Sequence, residues 1–190
     1  MYSIIPFDQN PALRLKAREV PLSDIGSPRL EKMISDMKKL LSNEDYGVAL
    51  AAPQIGESLK LFVVSGTAVM KREEANKKRG KKDSPSHDES TLTFHDEVYI
   101  NPIMTKMSRA KKDKHEGCLS VRGKWGLVPR SEKATLRYYN ENGEQLTRGA
   151  SGFLAHIFQH EMDHLDGILY TDKANEIYAD EDENSEKHEE

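Results

Sequence analysis

The stretch Ser151-Gly152-Phe153-Leu154-Ala155-His156-Ile157-Phe158-Gln159-His160-Glu161-Met162-Asp163-His164-Leu165-Asp166-Gly167 decides how the rest of the chain is read. Phe153, Leu154, Ile157, Phe158 and Leu165 recur at three- and four-residue spacing, which predicts a helix with one face in the core. Ser151-Gly152 offers its start and Asp166-Gly167 its stop. On such a helix His160 and His164, four residues apart, project in nearly the same direction. Both imidazoles can then reach one divalent ion at about 2.0–2.1 Å, with Glu161 beside them as a proton carrier. The chain has seven His in 190 residues, most of which read as surface groups. A two-His site therefore needs a third protein ligand and an open position before it can support hydrolysis.

Cys118 is the candidate third ligand and the only cysteine of the chain, so no intramolecular disulfide is available. A lone cysteine ordinarily reads as a small buried hydrophobe. Its setting, Glu116-Gly117-Cys118-Leu119-Ser120, places it beside a glycine, where backbone can approach an ion or substrate closely, and upstream of a predicted strand. A Cys-plus-two-His set is chemically reasonable beside the mixed three-ligand sets that support catalysis elsewhere.

Outward from these residues, Ser27-Pro28 reads as the cap and first residue of a second helix, with Leu30, Met33, Ile34, Met37, Leu40 and Leu41 on one core-facing stripe. Leu61–Val64 reads as a buried strand, and 97–100 as another that ends before Asn101-Pro102. Segments 134–139 and 145–148 flank Asn140-Glu141-Asn142-Gly143-Glu144, a hairpin signal. Strands that precede the motif helix in sequence make the pattern α+β rather than alternating. Residues 71–90, rich in Lys, Arg, Glu and Ser, read as a mobile surface loop. Their run Lys77-Lys78-Arg79-Gly80-Lys81-Lys82 is a candidate contact to ribosomal RNA, set against the plainer reading of a solvated loop. The expected organisation is one catalytic domain over 1–175 with this insert, and an acidic, disordered tail over 176–190.

Three segments, in order and approximate spacing, carry a resemblance: Gly47-Val48-Ala49-Leu50-Ala51-Ala52-Pro53-Gln54, Glu116-Gly117-Cys118-Leu119-Ser120 and Gln159-His160-Glu161-Met162-Asp163-His164-Leu165. They resemble the three motifs of peptide deformylases, and the likeness runs from Asn10-Pro11-Ala12-Leu13-Arg14 to about Asp172. The resemblance implies antiparallel β-sheets packed around a central C-terminal metal-binding helix, with an additional N-terminal helix. It implies an enzyme that removes the N-formyl group from the initiator methionine of new proteins and releases formate. Cys118, His160 and His164 would hold the metal, with ferrous iron expected and zinc, nickel or cobalt able to occupy the same ligands. Glu161 would carry the proton, while the Gln54 amide and the Leu119 backbone N–H would steady the oxyanion.

The methionine side chain calls for an apolar slot, for which Val48, Phe153, Leu154 and Ile157 are candidates beside the plainer reading that several simply pack the core. Gly47 and Gly117 would let backbone pass close to an extended peptide. Ala49 stands where the first motif usually has its second glycine, and Arg122 where a proline commonly follows the second. His156, one turn before His160, occupies a usually apolar position; it would line a more polar pocket, serve as an alternative ligand, or be satisfied by a nearby polar group.

Composition is consistent with a compact soluble enzyme: 36% of residues are hydrophobic, enough for a sizeable core. A net charge of −4 removes any global attraction to nucleic acid, and no DNA or membrane partner is expected. The N-terminus lacks a basic-then-apolar leader pattern, and a single thiol suits a reducing compartment, so a cytoplasmic monomer acting on nascent formylated peptides is expected. Two other classes share features with this reading. A zinc peptidase would take its third ligand from a Glu or His downstream, where His188 lies in a charged tail and Glu176 is a weak candidate, and a degenerate relative would bind metal or formylated peptide without turnover.

Overall fold

The computed structural model describes residues 2–70 and 95–179, so the expectations for the 71–90 insert and for the tail from 180 onward lie outside the described residues. In chain order the elements are helix α1 (Pro28–Ser42), strands β1 (Ala49–Ala51), β2 (Leu61–Val64), β3 (Glu97–Met107), β4 (Lys111–Cys118), β5 (Val121–Ser131), β6 (Lys133–Tyr139) and β7 (Gln145–Ser151), helix α2 (Gly152–Leu165) and strand β8 (Glu176–Ala179). The strands form a five-stranded sheet, ordered β1-β2-β3-β6-β7, and a three-stranded sheet, β4-β5-β8. Every pairing within them is antiparallel. The fold is thus mixed α and β, with antiparallel sheets and a C-terminal helix.

Local chemistry accounts for the helix ends. The Ser27 hydroxyl accepts from the Leu30 N–H at 3.3 Å and Pro28 occupies the first helical turn of α1. The stripe Leu30, Met33, Ile34, Met37 and Leu41 is buried against Leu61, Val63, Val98 and Ile100. Full burial of such side chains stabilises by about 1.5–3 kcal/mol each. The second helix packs on β1, β6 and β7 of the larger sheet and on β5 of the smaller one. Beneath it, Phe62 and Tyr99 stack at 4.7 Å between ring centres and Phe158 meets Tyr99 edge-on at 5.1 Å.

Two sequence expectations change. The strand placed at 97–100 continues to Met107, because Asn101-Pro102 forms a bulge rather than a stop. The register steps from Ile100 opposite Tyr139 to Ile103 opposite Arg137, so the missing proline N–H falls where the ladder is already interrupted. Asn101 adopts a positive φ of 50° and its amide both donates to and accepts from the Val20 backbone at 2.8 Å, replacing the lost ladder bonds. At the other end, Glu176–Ala179, placed in an acidic tail, forms β8 opposite residues 124–127 of β5. Ile177 and Tyr178 are the physical reason: they supply strand-forming side chains inside an otherwise acidic stretch.

Candidate active site

Strand β7 runs directly into α2, and Gln159 fixes the helix to β5. Its carbonyl accepts from the Ser131 N–H at 2.9 Å, and its amide donates to the Ser131 carbonyl at 2.9 Å and to that of Ala155 at 2.8 Å. The next residue, His160, therefore starts from an anchored turn. His160 and His164 meet edge-on, 4.8 Å between ring centres, and the His160 ring stacks on Tyr170 at 6.2 Å.

Cys118 arrives from the smaller sheet. It is the last residue of β4 and pairs with Val121, so Leu119-Ser120 is a two-residue turn of a tight hairpin. Its sulfur lies 3.3 Å from His164 Nε2, and one ligating atom each from Cys118, His160 and His164 all fall within 4.8 Å of one another. Burial drives the His164 imidazole well below its usual pKa, which keeps it neutral with a lone pair to offer.

Glu161, 4% exposed, has a carboxylate oxygen, Oε2, with no hydrogen-bond partner among the described residues. Burial raises its carboxyl to about 7, with Glu116 and Asp163 adding to the rise and His160 opposing it. Gln54 faces the same cluster from the 3-10 turn Ala52–Ile55. Its carbonyl accepts from the Ala51 N–H at 2.8 Å, which turns the amide nitrogen toward Cys118 Sγ and Ser120 Oγ, each at 3.5 Å. Asn10 braces that turn, donating to the Pro53 carbonyl at 2.8 Å. One soft thiolate, two imidazoles and an unpartnered buried carboxylate oxygen fit a divalent transition metal with an exchangeable position.

Behind the cluster runs a buried ionic chain to which the sequence reading gave no role. Arg130 Nε and Nη2 donate to Glu116 Oε1 and Oε2 at 2.6 and 2.9 Å, while its Nη1 donates to Asp163 at 2.7 Å. Lys173 closes the chain on Asp163 at 2.6 Å. His160 Nδ1 donates to Glu116 Oε2 at 2.8 Å, leaving Nε2 free to ligate. Burial alone would raise the Glu116 carboxyl, but hydrogen bonds from Arg130, His156 and His160 outweigh it and hold the group far below the usual carboxylate range. Two carboxylates facing two cations leave no uncompensated charge, the condition under which a buried network is tolerable. A signal for it existed: Arg130 lies in register with buried Gly126 and Val128 on one face of β5, where an arginine must be paired.

A groove of about 1070 Å³ opens onto the cluster. Gly47, Val48 and Ala49 line one wall, Gly117 and Leu119 another, and Phe153, His156 and Ile157 form a stripe of α2 running toward His160 and Glu161. Leu154 is not among the lining residues; it points into the core with Ala155 and Phe158. Gly47 also reads differently, since a Cβ there would sit 2.8 Å from Glu44 Cβ and 2.9 Å from Leu41 Cδ1. The glycine makes room for the end of α1. At Gly117 the missing Cβ is covered by the Trp125 ring, 3.3 Å away. His156 is satisfied by a polar neighbour, with Nε2 2.8 Å from Glu116 Oε1. Arg122 reaches Glu44 with one nitrogen, at 2.8 and 3.0 Å from its two oxygens, on the groove rim. Glu176 is exposed in β8 and is not one of the converging Cys118, His160 and His164, and His188 lies outside the described residues.

Antiparallel sheets joined through a helix that carries His-Glu-x-x-His, with a cysteine delivered by a hairpin, define a protein with a Cys-His-His metal-type site. The model of the polypeptide deformylase family matches residues 1–180. Peptide deformylase of Desulforudis audaxviator is 37% identical over 169 residues, which cover 89% of this chain and 91% of that protein. Peptide deformylase 1A, chloroplastic/mitochondrial, of Arabidopsis thaliana is 39% identical over 170 residues, covering 86% of this chain. The match spans 58% of that plant protein's own length. Among solved structures, the Met-Ala-Ser-bound class I type b peptide deformylase of Acinetobacter baumannii superposes with a TM-score of 0.72 at 26% identity, over 91% of this chain and 98% of that one. The chain belongs to the polypeptide deformylase family.

Proposed function

We propose that the protein is a peptide deformylase, hydrolysing the N-formyl group of the initiator methionine of newly made proteins to formate and a free N-terminus. The observation that carries this reading is the convergence of Cys118, His160 and His164 beside Glu161 and the Gln54 amide at one end of a peptide-sized groove. Cys118, His160 and His164 would hold one divalent ion, ferrous iron in the cell, with zinc, nickel or cobalt as substitutes. Once bound, the ion would lower the pKa of water toward about 7 and polarise the formyl carbonyl.

The chain's own groups supply the rest. Water adds its hydroxyl to the formyl carbon and its proton ends on the departing amine as the C–N bond breaks. Glu161 Oε2, buried and unpartnered, takes that proton and hands it on. The Gln54 Nε2–H and the Leu119 N–H serve the developing oxyanion, and because the Gln54 carbonyl is already tied to Ala51, its donor is aimed before substrate arrives. Phe153 and Ile157, two turns and one turn before His160 on α2, offer apolar surface for the methionine side chain.

No helix among the described residues is long and apolar enough to cross a membrane. We propose a cytoplasmic monomer that meets formylated nascent peptides either by diffusion or through a transient ribosome contact of the basic run at 77–82. The test of function is substrate discrimination. Metal-loaded protein should release formate from formyl-Met-Ala-Ser, leave acetyl-Met-Ala-Ser and internal peptide bonds intact, and reverse this on no related substrate. Cleavage of internal bonds would instead make it a peptidase, and tight binding of the formyl peptide without formate would make it a non-catalytic relative.

A further inference from the structure

His156 stands out because it is a buried histidine that the proposed chemistry does not use. It lies on the groove side of α2, four residues before His160, with Phe153 edge-on to its ring at 5.9 Å. Its Nε2 is 2.8 Å from Glu116 Oε1, on a carboxylate whose side chain is 1% exposed. The four donors to that carboxylate are arranged in balance. Oε1 accepts from Arg130 Nε and His156 Nε2, and Oε2 accepts from Arg130 Nη2 and His160 Nδ1.

We infer that His156 is a positioning residue, a second histidine clamp on Glu116 that fixes the carboxylate plane from which the metal-ligating ring of His160 is aimed. Arg130, on β5, holds both oxygens of the carboxylate, which registers Glu116 to its neighbouring strand and not to the helix that carries His160. A donor on Oε1 from the same helix that carries His160 ties both oxygens to α2, one full turn apart. Any swing of Glu116 that loosens His160 then breaks the His156 bond as well. Groups that orient a metal-ligating imidazole through its second nitrogen commonly change metal affinity by about 10–100-fold when removed. His156 acts one bond further out, so the lower end of that range applies.

The inference rests on the reading of Cys118, His160 and His164 as a metal site, and the experiment separates the two. Co2+ is titrated into metal-free protein against a competing chelator, with the visible spectrum recorded at saturation, for the parent, His156→Gln and His156→Met. Gln and Met have nearly the same length and shape, but only Gln carries an N–H for Glu116. The expected result is Gln within about three-fold of the parent, with the parent's spectrum, and Met weaker by about ten-fold with shifted Co2+ bands. Equal affinity and equal spectra for Gln and Met overturn the inference. Should Met fail to fold, Gln decides alone, because a ten-fold loss there also overturns it. A parent that binds no Co2+ rejects the metal site itself, and with it the inference.

Discussion

Glu116 shows how one side chain can carry the electrostatics of a site without touching substrate. Its charge is neutralised by Arg130, and its second contact orients His160. Arg130→Met would leave Glu116 and Asp163 buried with their main cation gone. Breaking a buried pair from one side costs about 3–5 kcal/mol, so urea unfolding should show a loss of that size. A loss under about 1 kcal/mol would mean that the network is hydrated rather than buried. Glu161 belongs to the chemistry instead: Glu161→Gln should keep metal stoichiometry while turnover falls by about 10²–10⁴-fold. Near-normal formate release by metal-loaded Glu161→Gln would reject its role. The histidine pair and Cys118 were legible because helix periodicity and a unique residue type are local signals. The partners of Arg130, Asp163 and His156 were not, since Arg130 and His160 reach Glu116 across 14 and 44 residues of sequence.

At the scale of elements, packing gives Gly47 a reason of its own beside its place on the groove wall. Gly47→Ala would drive its Cβ into Glu44 and Leu41 at the end of α1, and overpacking of this kind costs about 1–3 kcal/mol. The expected signature is a lower urea midpoint with the KM for a formyl peptide unchanged; a raised KM at unchanged stability would restore the groove reading. A second element contact has a pH signature. Asp172, just after α2, pairs with Arg14 at 2.5 Å and accepts from the Leu169 N–H at 2.9 Å. Slight burial would raise its carboxyl, but these two bonds outweigh it and lower the group below 3.8. A depressed folded pKa contributes stability above the ordinary value that fades as pH falls through the folded one. The pair is half exposed and contributes less than about 1 kcal/mol. Asp172→Asn should therefore melt at most about 2–4 °C below the parent at pH 7, with the gap closing below pH 3.8. A gap that does not shrink as pH falls below 3.8 would assign the effect to packing. Strand ends were the least legible elements. Pro102 reads as a terminator unless the Asn101 contact with Val20, 81 residues away, is known.

Across the whole molecule, the division of labour follows the two sheets. The larger sheet and α2 hold His160, His164 and Glu161, while the hairpin of the smaller sheet delivers Cys118, and Gln54 comes from the turn after β1. That strands and a late helix make a mixed antiparallel fold was readable from the order of hydrophobic patterns. Their division into two sheets was not, because pairing depends on contacts between distant strands and leaves no local trace. The central claim is that this assembly holds one metal ion and uses it to deformylate peptides. Its most direct measurement is titration of metal-free protein with Fe2+ under anaerobic conditions while formate release from formyl-Met-Ala-Ser is followed. The account predicts that activity rises linearly and stops at one equivalent of metal, and that Cys118→Ser, folded as judged by its melting curve, shows weakened retention and no such break. Full activity in the rigorously metal-free protein, or an unchanged titration with Cys118→Ser, would contradict it.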